Sequence, residues 1–400
     1  MGLNSARQTI NAWKGSGLAL FLPAWLVGAA LLAATVLGDS RIDTRHATLA
    51  DHPIWSPPAT GSPASWSGLV AEHQTGFPHS PALIEHDNGE LQAVWFHGIR
   101  EAHPSVGLWT SRRAADGAWT EQALLLDRHA DMAALGYRIH TIGNPVLYPH
   151  PDGDAWLFYV NPSLGGWSTS RIALRRSSDR GLTWSDPVQL PTGPIFSISS
   201  LVRAAPLLMD DGLVALPAYH ELIGKHSEFL LLDSTGRLVG RRFIADGIQA
   251  NFATMPEQRW LALLRPIVGM PARLLASQSE DGGVTWSEMA VTDIPNPYQP
   301  VCSVLLHDGS TLIGYTPQEH GRDRLAFIHV DGETGQWRRL PQEITPDVQG
   351  GQTAYCTAIQ KRNGDIALVY ADPPGRRIME FGFTMSWLAE QIAAGEEIVP

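Results

Sequence analysis

Two cysteines in 400 residues, Cys302 and Cys356, are too few for a disulfide scaffold and lack the spacing of a metal-ligand set. An exported chain could join them in one bridge, but free, buried thiols are the commoner state of such a pair and are expected here. Positive charge is also scarce, with 29 Lys and Arg against 40 Asp and Glu, a formal charge of -11 and a pI near 5.7. That balance excludes a basic nucleic-acid-binding face, and an anionic ligand must be met by local cations. The histidines His79, His97, His103, His140 and His220 are scattered, with no HExxH-like spacing. They suggest a polar lining rather than a metal site, and no cofactor is implied. Long amphipathic helix patterns are missing until SWLAEQIAAGEE near the C-terminus, which suits a short capping helix, so no helical architecture competes for the chain.

What is present is apolar and turn-rich. A hydrophobic content of 44% can bury a large core, in two ordinary domains or one big all-β domain. The 14 Trp and 38 Gly supply rings that pack under turns or stack on sugars, and the residue that tight turns demand. Residues 18–37 carry no charge, enough for a bilayer-crossing helix, and Arg7 and Lys14 precede it. We expect a cytoplasmic N-terminus (1–17), a transmembrane anchor (18–38) and a Pro-, Ser- and Thr-rich linker (39–66). The chain is then a single-pass protein of the inner or cell membrane, with residues 67–387 in the periplasm or outside the cell. A cleaved signal peptide, giving a secreted protein, is the rival reading. Its apolar core would be unusually long, and Ala33 and Ala34 make a poor cleavage site.

From Ser67 onward a β-run, an Asn-Gly or Asp-Gly turn and another β-run recur. The turns fall at 88–89, 152–153, 211–212, 308–309 and 363–364, with a degenerate one at 257–259. Spacings of about 50 to 65 residues suit four-stranded blades. Two octets add a second repeat, SSDRGLTW at 177–184 and SEDGGVTW at 279–286, with worn copies ending at Trp119 and Trp337. An all-β, six-bladed propeller over 67–387 follows, closed by the strand SGLVAEH (67–73) and trailed by a tail, 388–400.

The octets are Asp-boxes, and with them the chain resembles the sialidase superfamily from about Ser65 to about Trp387. The resemblance implies three arginines on a substrate carboxylate, a carboxylic acid/base, and a Tyr activated by a Glu. In IQANFATMPEQRWLALLR the second arginine falls on Arg265 and the activating Glu on Gln249, an amide that cannot take a proton. GRDRLAFIHV places the third arginine on Arg322, with Arg324 the weaker choice, and AYCTAIQKRNGDIALVY places the Tyr on Tyr355.

Blade one departs from the family. PHSPALI puts His79 where the first arginine belongs, and in WFHGIREAHPSVGLW the acid/base role falls on Glu101, between Arg100 and His103. Arg203, in SLVRAAPLLMDDG, is an extra cation expected to face the channel, and Tyr298 and Trp167 are candidates for stacking on a sugar. Ordinary surface or core roles compete at each of these positions. The reading is a sialidase-like exo-glycoside hydrolase acting on an acidic-sugar glycan, held at the membrane through residues 18–38. Its catalytic set is Glu101, Tyr355 and Gln249; Arg265, Arg322, His79, Arg100 and Arg203 bind substrate. A uronate-specific lyase and a non-catalytic glycan-binding propeller are the alternatives.

Overall fold

The computed structural model describes residues 62–400, save 116, 165, 194–196 and 223; the expected anchor and most of the linker lie outside these residues. Among the described residues no helix is long and apolar enough to cross a membrane.

Six antiparallel sheets form the blades of a propeller. Blade one is built from Phe77–Glu85, Leu91–Gly98, Gly107–Arg113 and Ala123–Asp127, and blade two from Gly143–Pro149, Ala155–Val160, Ile172–Ser177 and Val188–Gln189. Blades three, four and five open on Ser200–Val202, Ile248–Met255 and Cys302–Leu305, and blade six on Ala354–Gln360. These first strands pack against one another around the axis. Each expected Asn-Gly or Asp-Gly turn, and the degenerate one, leads into the second strand of its blade, from the first strand or, in blade three, from the short strand Leu207–Leu208. The outer strand of blade six is Ser65–Glu72, paired from Ser65 with Phe383 to Glu72 with Arg377, so the N-terminal strand closes the ring.

Period-two alternation places successive residues of one strand in different interfaces. Leu157 and Tyr159 pack against blade one, while Trp156, Phe158 and Val160 pack against blade three. Six such apolar clusters, one per neighbouring pair of blades, hold the ring. The join between blades six and one also carries the buried Glu380, which accepts from Arg113 at 2.5 Å and from the Trp119 indole at 2.9 Å.

The Asp-boxes are self-contained turns. Ser177 Oγ accepts from the Gly181 amide at 2.7 Å; Asp179 accepts from the Leu182 and Thr183 amides at 3.1 and 2.9 Å, and from the Thr183 hydroxyl. Ser279 and Asp281 repeat the pattern in blade four. Gly181 is required twice over: its φ is 76°, and a Cβ there would overlap the Gln92 amide of blade one.

Two expectations change. Cys302 and Cys356 are joined in a disulfide, because the first strands of blades five and six bring their Cα atoms to 5.6 Å. The capping helix expected at SWLAEQIAAGEE does form, but residues 388–400, set apart as a tail, belong to the fold through that helix and a further strand. A helix, Met385–Ala394, capped by the Thr384 hydroxyl, buries Trp387 and Leu388 against blades five and six, and Glu396–Ile398 adds a fifth strand to blade five.

Candidate active site

Each blade carries one non-glycine residue with positive φ at or just before its first strand: Ser80, Asn144, Ser199, Gln249, Tyr298 and Tyr355, with φ from 46° to 66°. Left-handed backbone costs of order 1–3 kcal/mol at such residues and clusters where function requires it. Here it interrupts the strand register, as between Ala354 and Thr357, and gathers polar groups around the axis.

Gln249, Arg265 and Tyr355 are in direct contact. Arg265 Nη1 donates to Gln249 Oε1 at 3.0 Å and to the Tyr355 hydroxyl at 3.2 Å. The Gln249 amide donates in turn to the Tyr219 hydroxyl at 3.2 Å, which Asn144 also approaches at 3.2 Å. His79 sets its ring 4.1 Å from that of Tyr355, centre to centre. Burial first, and then the charges of Arg203, Arg322 and Arg265, push its pKa well below 6.5, so this imidazole is neutral. His79 therefore does not replace the charge of the arginine expected there.

Arg322 lies across from Arg265, close enough that the two charges oppose each other, and burial is the main cause of its lowered pKa. The Gln299 amide, its oxygen turned to the guanidinium, accepts from Arg322 Nη2 at 3.0 Å. Arg324 points elsewhere, to Gln318 and Glu343 on the surface. Glu101 sits on the rim and accepts from the Trp167 indole at 3.1 Å. Glu101 is exposed at its edge, yet the protein crowded around its carboxyl desolvates it, and the pKa rises above 4.5. The Trp167 bond, Arg322 and Arg265 oppose that rise, while Glu221 reinforces it.

Other expected residues fall outside this cluster. Arg100 is exposed, and its guanidinium donates to the Glu101 carbonyl at 3.4 Å. Arg203 is buried beneath Tyr355 rather than open to the pocket. Trp167 orients Glu101, and Tyr298 donates to the Met270 carbonyl at 2.8 Å. His97 bonds the Thr75 carbonyl, His103 bonds Ser105, and buried His220 meets Glu228 at 2.7 Å. His140 is fixed through its backbone amide, which donates to the Pro162 carbonyl at 2.8 Å. Among the described residues no group of three or more His, Cys, Asp or Glu is placed to hold a metal ion.

Sequence reasoning missed Tyr219, Asn144, Gln299 and Glu221. The available signal was positional. Asn144-Pro145 and Ser80-Pro81 both lie in the first half of a first strand, and Asn readily takes left-handed backbone.

No curated protein matches the chain. Among solved structures, it is similar to the intramolecular trans-sialidase from Ruminococcus gnavus in complex with oseltamivir carboxylate, with 14% identity, a TM-score of 0.60, and 83% of this chain and 98% of that one covered. The NanB sialidase from Streptococcus pneumoniae gives 11% identity and a TM-score of 0.59, over 83% of this chain and 71% of that one. A protein of unknown function from Dyadobacter fermentans DSM 18053 gives 16% and 0.59, over 80% and 97%. At these identities the likeness is one of fold. Residues 89–368 match the BNR repeat-like domain family, and the chain belongs to it, as a six-bladed BNR propeller.

Proposed function

We propose that this propeller is a sialidase-like exo-glycoside hydrolase that removes an acidic sugar from a glycan outside the cytoplasm. The observation that supports the reading is that Arg265 donates to the Tyr355 hydroxyl at 3.2 Å while the charges of Arg265 and Arg322 act on the Glu101 carboxyl, although the four residues come from four blades. Arg265 and Arg322 bind the sugar carboxylate, since a planar guanidinium matches it in two hydrogen bonds. Glu101, its pKa raised, holds the proton that the leaving oxygen needs. Tyr355 faces the anomeric carbon and captures or stabilises the positive charge that develops there. Gln249 orients Arg265 instead of serving as a base. Residues 18–38 anchor the domain and send it outward, and the Cys302–Cys356 bridge suits the oxidising compartment this implies.

The test is hydrolysis of fluorogenic acidic glycosides. Glu101→Gln should lower kcat by about 100- to 10,000-fold on substrates with poor leaving groups, and much less on activated phenols that need no proton. Tyr355→Phe should be impaired on both. If both variants hydrolyse at the wild-type rate, the assignment fails.

One observation favours a second chemistry. A neutral His79 against Tyr355, with no carboxylate at position 249, also fits proton abstraction and elimination at a uronate. The ultraviolet band of an unsaturated uronate, appearing on digestion, would identify that reaction instead.

A further inference from the structure

Arg203 follows Ser200–Val202 of blade three, and its side chain crosses the axis to blade six. Nη2 donates to the carbonyls of Tyr355 and Cys356 at 2.8 and 2.7 Å, and Nη1 to the Thr357 hydroxyl at 3.2 Å. That hydroxyl donates onward to the Pro81 carbonyl of blade one at 2.7 Å. The guanidinium carbon stands 5.3 Å from the centre of the Tyr355 ring, within cation–π range. Arg203 is 5% exposed and its Nε has no hydrogen-bond partner. Burial first lowers its pKa, to about 10, against the opposing pull of Tyr355 and Tyr219; it stays charged at neutral pH. Among the described residues it has no carboxylate within ion-pair distance. Burying a charge without a counterion is costly, and a chain that retains one points to a neighbour that depends on it.

Tyr355 has that dependence. Its φ of 55° is unfavourable for a residue with a Cβ, and both carbonyls that follow its Cα and that of Cys356 are held by this one guanidinium. At the position in blade one where the resemblance places an arginine stands the neutral His79. We propose that Arg203 is a positioning residue, locking Tyr355 in its left-handed conformation and supplying beneath the ring the positive charge that blade one no longer provides. It acts through Tyr355 and touches no substrate atom. This rests on the reading of Tyr355 as the group facing the anomeric carbon.

The experiment combines kinetics with amide hydrogen exchange on Arg203→Met and Arg203→Lys. With the fluorogenic glycoside, Arg203→Met should lower kcat about 100-fold with KM changed less than about 3-fold, and Arg203→Lys should recover part of the loss. In a Tyr355→Phe background, Arg203→Met should cost nothing more, since both act through one group. Exchange in residues 354–360 should quicken by about 10-fold in Arg203→Met while other first strands keep their protection. A raised KM with kcat intact would make Arg203 a substrate ligand. Additive losses, or faster exchange throughout the ring, would make it a plain tether between blades, and either result overturns the proposal. So does unchanged exchange at 354–360. Should the wild type show no turnover, the hydrolase reading falls, and exchange alone decides whether Arg203 fixes Tyr355.

Discussion

Glu101 shows how a single side chain is tuned by what stands next to it. Crowding pushes its pKa up, and the indole hydrogen of Trp167 pulls it back by stabilising the carboxylate. Trp167 is held in place by Gly143, where a Cβ would come within 2.9 Å of the indole ring. Activity that needs protonated Glu101 is lost as pH rises through its pKa. Removing the indole hydrogen bond leaves the upward push less opposed, so Trp167→Phe should move the alkaline limb of the kcat profile to higher pH, by about half a unit to one unit. Gly143→Ala should do the same by displacing the ring. A limb that moves down or stays put would show that Trp167 does not set the acid. Residue by residue, the sequence was informative where a motif framed the position. Arg265 sits in a hairpin with recognisable ends, and Arg322 was separable from Arg324 only through that frame. Arg203 was expected to face the pocket because its strand heads a blade, but the direction of its long side chain is decided by carbonyls more than 150 positions away.

At the scale of strands and turns, legibility followed locality. Asn88-Gly89 or Asp308-Gly309 between apolar runs forces a hairpin whatever the rest of the chain does, so the blades could be counted from residues alone. The Cys302–Cys356 bridge and the strand Glu396–Ile398 depend on partners in other blades, and nothing local announces them. The same non-local character makes one element acid-sensitive. Just past the closing strand Ser65–Glu72, His73 is buried, its Nε2 accepts from the Trp95 indole at 3.0 Å, and its ring stacks on His97 at 3.7 Å. Burial first, and His97 second, lower its pKa from 6.5 to about 4. A depressed histidine contributes stability above the unfolded value that is lost as pH falls toward the folded one, because the unfolded chain binds the proton first. Stability should therefore drop between pH 6.5 and 4, by at most about 3 kcal/mol from this residue, with His79 acting in the same direction. Urea midpoints at pH 7 and 4.5 measure the drop. His73→Gln, which keeps an acceptor for Trp95, should flatten it; an unaltered slope would assign the acid sensitivity elsewhere.

At the scale of the whole molecule, the ring explains why the pocket exists. Left-handed residues at the head of each blade gather polar groups around the axis, and only closure makes His79 of blade one and Tyr355 of blade six neighbours. Closure is secured twice around blade six. On one side the N-terminal strand and buried Glu380, bonded to Arg113 and Trp119, join it to blade one. On the other side the disulfide joins it to blade five, directly after Tyr355 in sequence. The bridge spans a separation of 54 residues, for which loop closure in the unfolded chain gives about 4 kcal/mol and measured losses run about 2–5 kcal/mol. Cys302→Ala with Cys356→Ala should lower the guanidinium midpoint accordingly, and reductant should shift the wild type but not the double variant. Because Arg203 also holds the Cys356 carbonyl, the double variant should lose kcat at temperatures where it remains folded, whereas reduction of a remote bridge would leave kcat alone. A wild-type midpoint indifferent to reductant would mean that blade six is held by packing and by Glu380, without a covalent link to blade five.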